Sequence, residues 1–523
     1  MKALAHLPRL VAELDGAALS PEEARSLGEA RVQQRLSLPA LCELSFYDPP
    51  AALAERAPGL AGAGLRLGLE GRADALFVGE VTVSTVEHGP SVGLTVRLRA
   101  QDLLHRLRKR QPLRRHSHLS TAELIGEVVA DLGLRVEASA TGPRWEALLQ
   151  HRQSDFDLVA ELAERSGLYF TLRGDTVVLL TLEGTGTPVP LALGDGLIEA
   201  RLEVSAEPAC RAVDALGWDP WLASPRRGEA HSPRSGRQVQ ATVEPQRVGG
   251  NGARAITNEA LQSDDQAAAL AQAELDRRAA GEATLSGTAE GNPDLRPGTP
   301  IDVAGVVGAL RGRYVLTAVT HTIERQRGYL CEIDTSPPLP RARPSVSAFT
   351  VGVVTAVDDP DGLGRVRVSL PALGDLESDW LQVVTPAAGP GKGLISLPEV
   401  DDRVLVGLAG PQAAQGVVVG GLYGTETPPD TGVEGGRVRR FTLVTPGGQR
   451  VQLDDGAERV RVENCHGDRL ELSPGRARLQ ASDGSFLELA GKGLRLHAAT
   501  DMEIEAPGKT VTIRGARIDF ERA

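Results

Sequence analysis

The sequence predicts a mainly β, multidomain protein with a few helices, and three observations carry that expectation. First, 59 glycines and 34 prolines are spread along all 523 residues, punctuation that joins many short strands by turns and leaves little room for long helices. Second, helix start signals stand out at three places only. Third, from residue 441 onward a unit of two apolar residues flanking another residue returns nine times, the mark of short strands that must stack. At roughly 100 to 200 residues per domain, the length corresponds to about three domains.

In chain order, Ala75 to Val86 and Ser91 to Arg99 read as strands of a β-hairpin turning at His88-Gly89-Pro90. Ser120-Thr121-Ala122-Glu123 is a capping box, in which hydroxyl and carboxylate satisfy free N–H groups, and Leu124, Ile125, Val128, Val129 and Leu132 form the apolar stripe before Gly133. Ser154 opens a second helix with Phe156, Val159, Leu162 and Ala163 inward, closed by Gly167. Tyr169 to Leu172 and Thr176 to Leu180 then pair across Arg173-Gly174-Asp175. Ser263 begins a third, alanine-rich helix to about Ala280. The four prolines of Thr335 to Ser345 favour an extended connector. After it, Val351–Val357, Gly364–Leu370, Asp379–Val384, Gly393–Leu397, Asp402–Leu408 and Val417–Tyr423 are short apolar strands. They are separated by Asp-Pro-Asp-Gly, Pro-Ala-Ala-Gly-Pro-Gly and Ala-Gly-Pro-Gln turns. So many strands in so short a stretch fit a small closed barrel of the OB type.

The terminal repeat runs through Val451/Leu453, Val460/Val462, Leu470/Leu472, Ala477/Leu479, Leu487/Leu489, Leu494/Leu496, Met502/Ile504, Val511/Ile513 and Ile518/Phe520. Charges over 441–523 nearly balance, 12 basic against 13 acidic. Each unit is a minimal strand with one apolar edge, too small to bury that edge by itself. Three chains wound together would bring these positions onto a common axis, a dry prism with charged outer faces. A one-chain antiparallel meander with regular tight hairpins is the rival arrangement.

The formal charge of -12 argues against general affinity for nucleic acid or anionic lipid. The chain has no apolar run of membrane-spanning length and no signal-peptide core, so it is expected to be made in the cytoplasm. Cys42, Cys210, Cys331 and Cys465 lie far apart and are expected to be reduced. Catalytic chemistry needs a nucleophile with a base, a metal cluster or paired carboxylates, and no such constellation stands out. His116 and His118 lack further ligands, so the sequence calls for no metal or cofactor. Leu103 to His118 carries six basic residues and no acid; it reads as a solvated loop before a helix, with an acidic protein partner as the open alternative. The barrel holds four basic residues against nine acidic ones, and only Phe349, Trp380 and Tyr423 as aromatics, a poor base-stacking platform that reads as a structural adaptor. Arg173-Gly174-Asp175 is simply a hairpin turn.

The succession resembles the VgrG-type central spike of contractile injection systems, related to the fused hub and cell-puncturing spike of contractile phage tails. In the first part the similar stretches are Asp102 to Leu107, Gln153 to Asp157, Gly167 to Phe170, Asn292 to Thr299, Gly312 to Val315 and Val319 to His321. In the barrel they are Asp358 to Val368, Ser378-Asp379-Trp380, Pro398 to Val406 and Gly420 to Tyr423. The resemblance implies a tube-docking hub of small β-barrels plus helices over 1–340, with two similar barrels per chain that give a trimer a pseudo-sixfold face for a hexameric tube. It further implies an OB-fold barrel over 346–424, a linker over 425–440 and a triple-stranded β-helix needle over 441–523. It implies a homotrimer that meets an inner tube protein and baseplate proteins, carries a conical PAAR-type tip protein, contacts the target envelope on firing and belongs to an assembled particle. The needle core would comprise the large apolar positions of the repeat. The short linker leaves no room for an inserted lysozyme domain, and a C-terminal toxin domain is not expected. Two other classes stay open: a peptidoglycan-hydrolysing spike and a glycan-binding tailspike.

Overall fold

The computed structural model describes residues 8–90, 93–151, 153–219, 224–341, 349–408 and 416–522. Ser91, the end of the proline connector and the turn at Ala409 to Gln412 lie outside the described residues. The chain divides into two compact units, Met1–Leu422 and Tyr423–Ala523.

The hub of the first unit is built on a fourteen-stranded sheet, and that sheet contains one pattern twice. Leu27–Arg35, Leu41–Tyr47, Phe77–Gly89 and Gly93–Gln101 lie side by side in the spatial order third, fourth, second, first. Gly196–Val204, Ala283–Glu290, Ala318–Glu324 and Gly328–Asp334 lie in the same spatial order. All neighbours within each array are antiparallel. The registers agree residue by residue. Glu29, Ala30 and Arg31 face Ser45, Leu44 and Glu43, while Glu199, Ala200 and Arg201 face Thr288, Gly287 and Ser286. A β-bulge precedes the glutamate in both arrays, between Leu27 and Glu29 and between Leu197 and Glu199. The arrays join where Leu27–Arg35 pairs antiparallel with Ala318–Glu324. One apolar core, including Leu44, Phe46, Val96, Leu98, Leu285, Cys331 and Ile333, runs behind both.

Between the arrays, residues 103–180 form a separate small core around two helices, Thr121–Ala130 and Asp155–Arg165, capped by Ser120 and Ser154 as expected. The third expected helix spans Asp264–Gly281 behind its Ser263 cap. Two six-residue helices, Pro21–Ser26 and Ala51–Arg56, were too short to stand out, although Ser20 and Glu23 make a full capping box.

The basic stretch is not a solvated loop. Leu103–Lys109 is a 3-10 helix capped by Asp102 with Leu104, His105 and Leu107 buried, and Arg114–Ser120 is a strand paired with Arg144–Gln150. Its cations meet acids and rings supplied by distant segments. Arg106 bonds Glu80 at 2.9 Å, Arg110 pairs with the buried Asp155 at 2.7 Å, and the Arg108 guanidinium lies 4.6 Å over Phe156. Leucines spaced among the arginines give the segment a buried side.

The barrel is closed. Phe349–Ala356 pairs with both Arg365–Leu370 and Arg403–Leu408, and Leu381–Val383 and Gly416–Gly421 complete the circuit. Alternating residues fill it: Val354, Val366, Val368, Leu370, Val404, Val406 and Val418 are all buried. Ala147 and Leu149 of the hub belong to the same core, and Arg115 reaches Asp379 at 2.8 Å, so the barrel is seated on the strand that follows the basic helix. One expected strand is absent: Gly393–Leu397 forms no strand beyond a two-residue ladder of Ala388–Gly389 with Lys392–Gly393. Leu394 and Ile395 stay exposed there, where the ladder runs out after the Leu394 amide bonds the Ala387 carbonyl at 3.1 Å.

In the second unit, seven strands from Arg440–Val444 to Gly493–His497 form one antiparallel meander in chain order. Each strand pairs with its sequence neighbours through a short hairpin, the local geometry of the one-chain arrangement. The last three apolar units, at Met502/Ile504, Val511/Ile513 and Ile518/Phe520, form no strand within a single chain.

Candidate functional site: an uncovered apolar face

Strand pleating puts alternate residues on opposite faces, and the meander's register turns this into rows. Leu443, Val451, Val462, Leu470, Leu479, Leu487 and Leu496 face one another in succession, as do Phe441, Leu453, Val460, Leu472, Ala477, Leu489 and Leu494. Two unbroken apolar rows therefore cross all seven strands, over ~29 Å at about 4.8 Å per strand. Nothing among the described residues covers them: exposure of the large residues runs from 37% at Val460 to 64% at Leu494. Met502, Ile504, Val511, Ile513, Ile518 and Phe520 are exposed as well.

The other face is finished. Its central row reads Thr442, Gln452, Arg461, Glu471, Arg478, Glu488 and Arg495, alternating in charge after its first two members. Arg476 and Arg478 contact Glu488 at 2.6 and 3.0 Å, and Arg478 lies 4.0 Å over the Phe486 ring, itself stacked on His497. At the start of this face Asp430 accepts from Arg440, the Gly432 amide, Thr442 Oγ1 and Gln452 Nε2. The Arg440 hydrogen bonds, the largest cause, hold its carboxyl well below the ordinary carboxylate range.

One edge is stitched by a repeated loop. The five-residue connections 445–449, 464–468 and 481–485 each place a glycine fourth with positive φ, at Gly448, Gly467 and Gly484, a conformation costly for other residues. In each, the fifth residue reaches the second residue of the next turn: Gln449 to Cys465, Asp468 to Ser482 and Ser485 to Ala499.

Other candidates resolve into structure. Asp359 clasps Arg365 at 2.7 and 2.9 Å while accepting from the amides of Asp361, Leu363 and Arg365, so the Asp-Pro-Asp-Gly turn is a self-contained ion-pair loop. The Arg173-Gly174-Asp175 turn is the hairpin expected, with Asp175 held by Arg135 at 2.8 Å. His116 is buried beside Glu127 and His118 is exposed beside Glu146. Among the described residues no cluster of three or more His, Cys, Asp or Glu could hold a metal ion. A buried pair the sequence did not single out, Cys331 and His321, lies 3.2 Å apart with Tyr329 2.9 Å from the same imidazole nitrogen. Burial pushes the Cys331 thiol up to about 11 and the His321 imidazole down to about 3. Both are neutral near pH 7, the opposite of an activated thiolate–imidazolium.

The hub duplication is expected from the family resemblance alone, with no residues assigned to it. Its signal was present as Leu27-Gly28-Glu29-Ala30-Arg31-Val32 and Leu197-Ile198-Glu199-Ala200-Arg201-Leu202, too short to stand out without the registers.

The model described as the type VI secretion system/phage-baseplate injector OB domain matches residues 350–423, the closed barrel. The Alg8 N-terminal domain model matches residues 58–325, over half of the chain, and the chain belongs to that family. None of the curated proteins matches. Among solved structures, the Escherichia coli c3393 protein, described as a type VI secretion component structurally similar to the bacteriophage T4 tail proteins gp27 and gp5, has a TM-score of 0.51 at 14% identity. That match covers 79% of this chain and 99% of the other. The Francisella PdpA-VgrG complex in its lidded form has a TM-score of 0.50 at 10% identity, covering 95% and 81%. Hub, injector barrel and stacked terminal strands together define the fold class of baseplate spike proteins. In fold the chain is similar to VgrG-type proteins.

Proposed function

We propose that three copies of this chain form the central spike of a contractile, phage-tail-like injection system, with a structural rather than catalytic role. Residues 1–340 act as the hub that docks the inner tube and baseplate, 346–424 as the collar, 425–440 as the linker and 441–523 as the needle. The observation that most supports this reading is the pair of apolar rows left uncovered across seven strands. Each large side chain taken from half-exposed to buried contributes on the order of 1 kcal/mol. More than a dozen such positions per chain outweigh an association cost of about 4 to 15 kcal/mol.

Three such sheets, apolar faces inward, make a prism whose charged ladders face water. The last three apolar units would then find their strand partners on neighbouring chains, completing the needle core through Phe520. The doubled hub array supports tube docking, since three chains present six like arrays to a hexameric ring. The mechanism is mechanical. Contraction drives the prism through the target envelope, a conical PAAR-type tip protein covers its blunt end, and the buried rows resist unfolding under axial load. Light scattering on the full chain tests this: a mass three times 55.2 kDa is expected, and a monomer at micromolar concentration overturns the trimer.

A further inference from the structure

A cavity of about 490 Å³ lies where three segments of the hub meet: residues 73–78 at the start of Phe77–Gly89, the turn at Arg173-Gly174, and the loop 294–299 ahead of Pro300–Ala304. That volume falls within the range of small-molecule sites. Arg66, Arg173 and Arg296 all line it. Arg173 donates from Nη2 to the Pro297 carbonyl at 3.3 Å, and Arg296 donates to the carbonyls of Pro293 at 3.0 Å and Ala75 at 3.3 Å. Among the described residues neither guanidinium has a carboxylate partner. Burial, reinforced by the charge of Arg296, pushes the Arg173 guanidinium below its ordinary value.

The acids of the lining do not relieve these two cations. Asp102 accepts from the amides of Ala40 at 2.8 Å and Leu104 at 3.1 Å, Asp294 faces Arg72 at 3.5 Å, and Asp74 is exposed to solvent. Two buried polar atoms of the lining are left over. Arg173 Nε, a donor, has no hydrogen-bond partner among the described residues, and neither has Gln34 Oε1, an acceptor, although Gln34 Nε2 donates to the Leu76 carbonyl at 3.2 Å. Buried polar atoms are normally paired, and an unpaired one is costly. An orphaned donor on a cation and an orphaned acceptor in one cavity call for a ligand that carries both an oxyanion and a hydroxyl.

We infer that this cavity binds a small hydroxylated phosphate ester, its phosphate held by Arg173 and Arg296 and its hydroxyl donating to Gln34 Oε1. The planar fork of a guanidinium matches phosphate oxygens two at a time. A phosphate monoester carries about −1.5 to −2 charges at pH 7, enough for two guanidiniums, whereas a single carboxylate carries one. The bound ester joins the small helical core, through Arg173, to both halves of the hub sheet, through Gln34 and Arg296. Every residue of the site belongs to one chain, so the site stands whether or not three copies assemble.

The test is isothermal titration calorimetry on the full chain, with glycerol 3-phosphate and inorganic phosphate as probes in chloride buffer of constant ionic strength. Glycerol 3-phosphate should bind saturably, one per chain, and more tightly than inorganic phosphate. Arg173→Gln and Arg296→Gln should each weaken both probes about tenfold or more, the loss of hydrogen bonds to a charged group. Gln34→Leu should abolish the preference for glycerol 3-phosphate and leave inorganic phosphate binding as it was. Arg135→Gln, which removes the exposed partner of Asp175 on the same hairpin, should change neither. Circular dichroism checks the fold of each variant, and Arg173→Lys, which keeps the charge but loses the fork, should still weaken binding if Arg173→Gln fails to fold. No saturable binding to the wild-type chain, or undiminished affinity in both arginine variants, overturns the site. Equal affinity for the two probes overturns the hydroxyl contact with Gln34.

Discussion

The barrel and the terminal sheet are built from the same material, short strands with alternate apolar residues, and they end in opposite states. In the barrel the first strand pairs with two others, the sheet closes on itself, and Val354, Val366, Val404 and Val418 vanish from solvent. In the terminal sheet the strands pair only in succession, so the apolar rows remain open while the charged rows are internally paired. Closure is thus a property of pairing topology, since alternation is common to both. One region is complete in a single chain; the other has a finished face and an unfinished one.

The sharpest way to break the comparison is one substitution in each region. Val366→Asp buries an unpaired carboxylate in a closed core and should cost upwards of about 4 kcal/mol, lowering the barrel's melting temperature at every protein concentration. Leu487→Asp sits in an open row, where a single chain tolerates it. It should leave circular dichroism of the hub and barrel unchanged while reducing the mass by light scattering from three chains to one. If both variants behave alike, the open face is not an interface.

A smaller effect is expected where the barrel meets the hub. Arg115→Ala removes one partner of the ion pair with Asp379, whose side chain is only 7% exposed. Arg367 at 3.9 Å and the Trp380 amide still attend the carboxylate, so the loss should be about 1 to 3 kcal/mol. Urea unfolding monitored at Trp380 reads it, and an unchanged midpoint would show that the basic stretch does not hold the barrel.

Smaller again is the effect at Asp430, which organises the head of the charged face. Asp430→Ala should lower the needle's melting temperature without changing the trimer mass. Because the folded carboxyl is held below its ordinary range by Arg440, its contribution is present above the unfolded value of about 3.9 and is lost as pH falls through and below it. Acidification should therefore bring wild type toward the variant, and a constant gap between their melting temperatures down to pH 3 would remove Asp430 from this role.

How much of this was legible depended on whether the determining contacts were local. Ser120, Ser154 and Ser263 announce helices through bonds within one turn, and the terminal repeat announces its strands by spacing. The basic stretch misled because its acids, Glu80, Asp155 and Asp379, come from elsewhere in the chain. Gly393 to Leu397 misled because an apolar run is a strand only if a ladder partner exists. The hub duplication was expected from the resemblance, but its residues were almost silent: its signature is six residues, and its substance is register, which depends on distant pairings. The apolar residues of the rows could be read from the sequence, whereas their exposure in one chain could not.

The smallest expected effect contrasts two thiols. Cys331 lies in the closed hub core with its thiol pushed up to about 11, whereas Cys465 lies exposed on a loop of the stitched edge. Thiolate is the reactive form, so a disulfide reagent at pH 8 should label Cys465 within minutes and leave Cys331 silent until the hub unfolds. Packing three sheets by their apolar faces leaves the hairpin loops outside, so Cys465 should label equally fast in the trimer. Protection of Cys465 on assembly would mean that the chains meet along the loop edge instead of the apolar rows, and it would turn the contrast between a closed barrel and an open face into one between two edges.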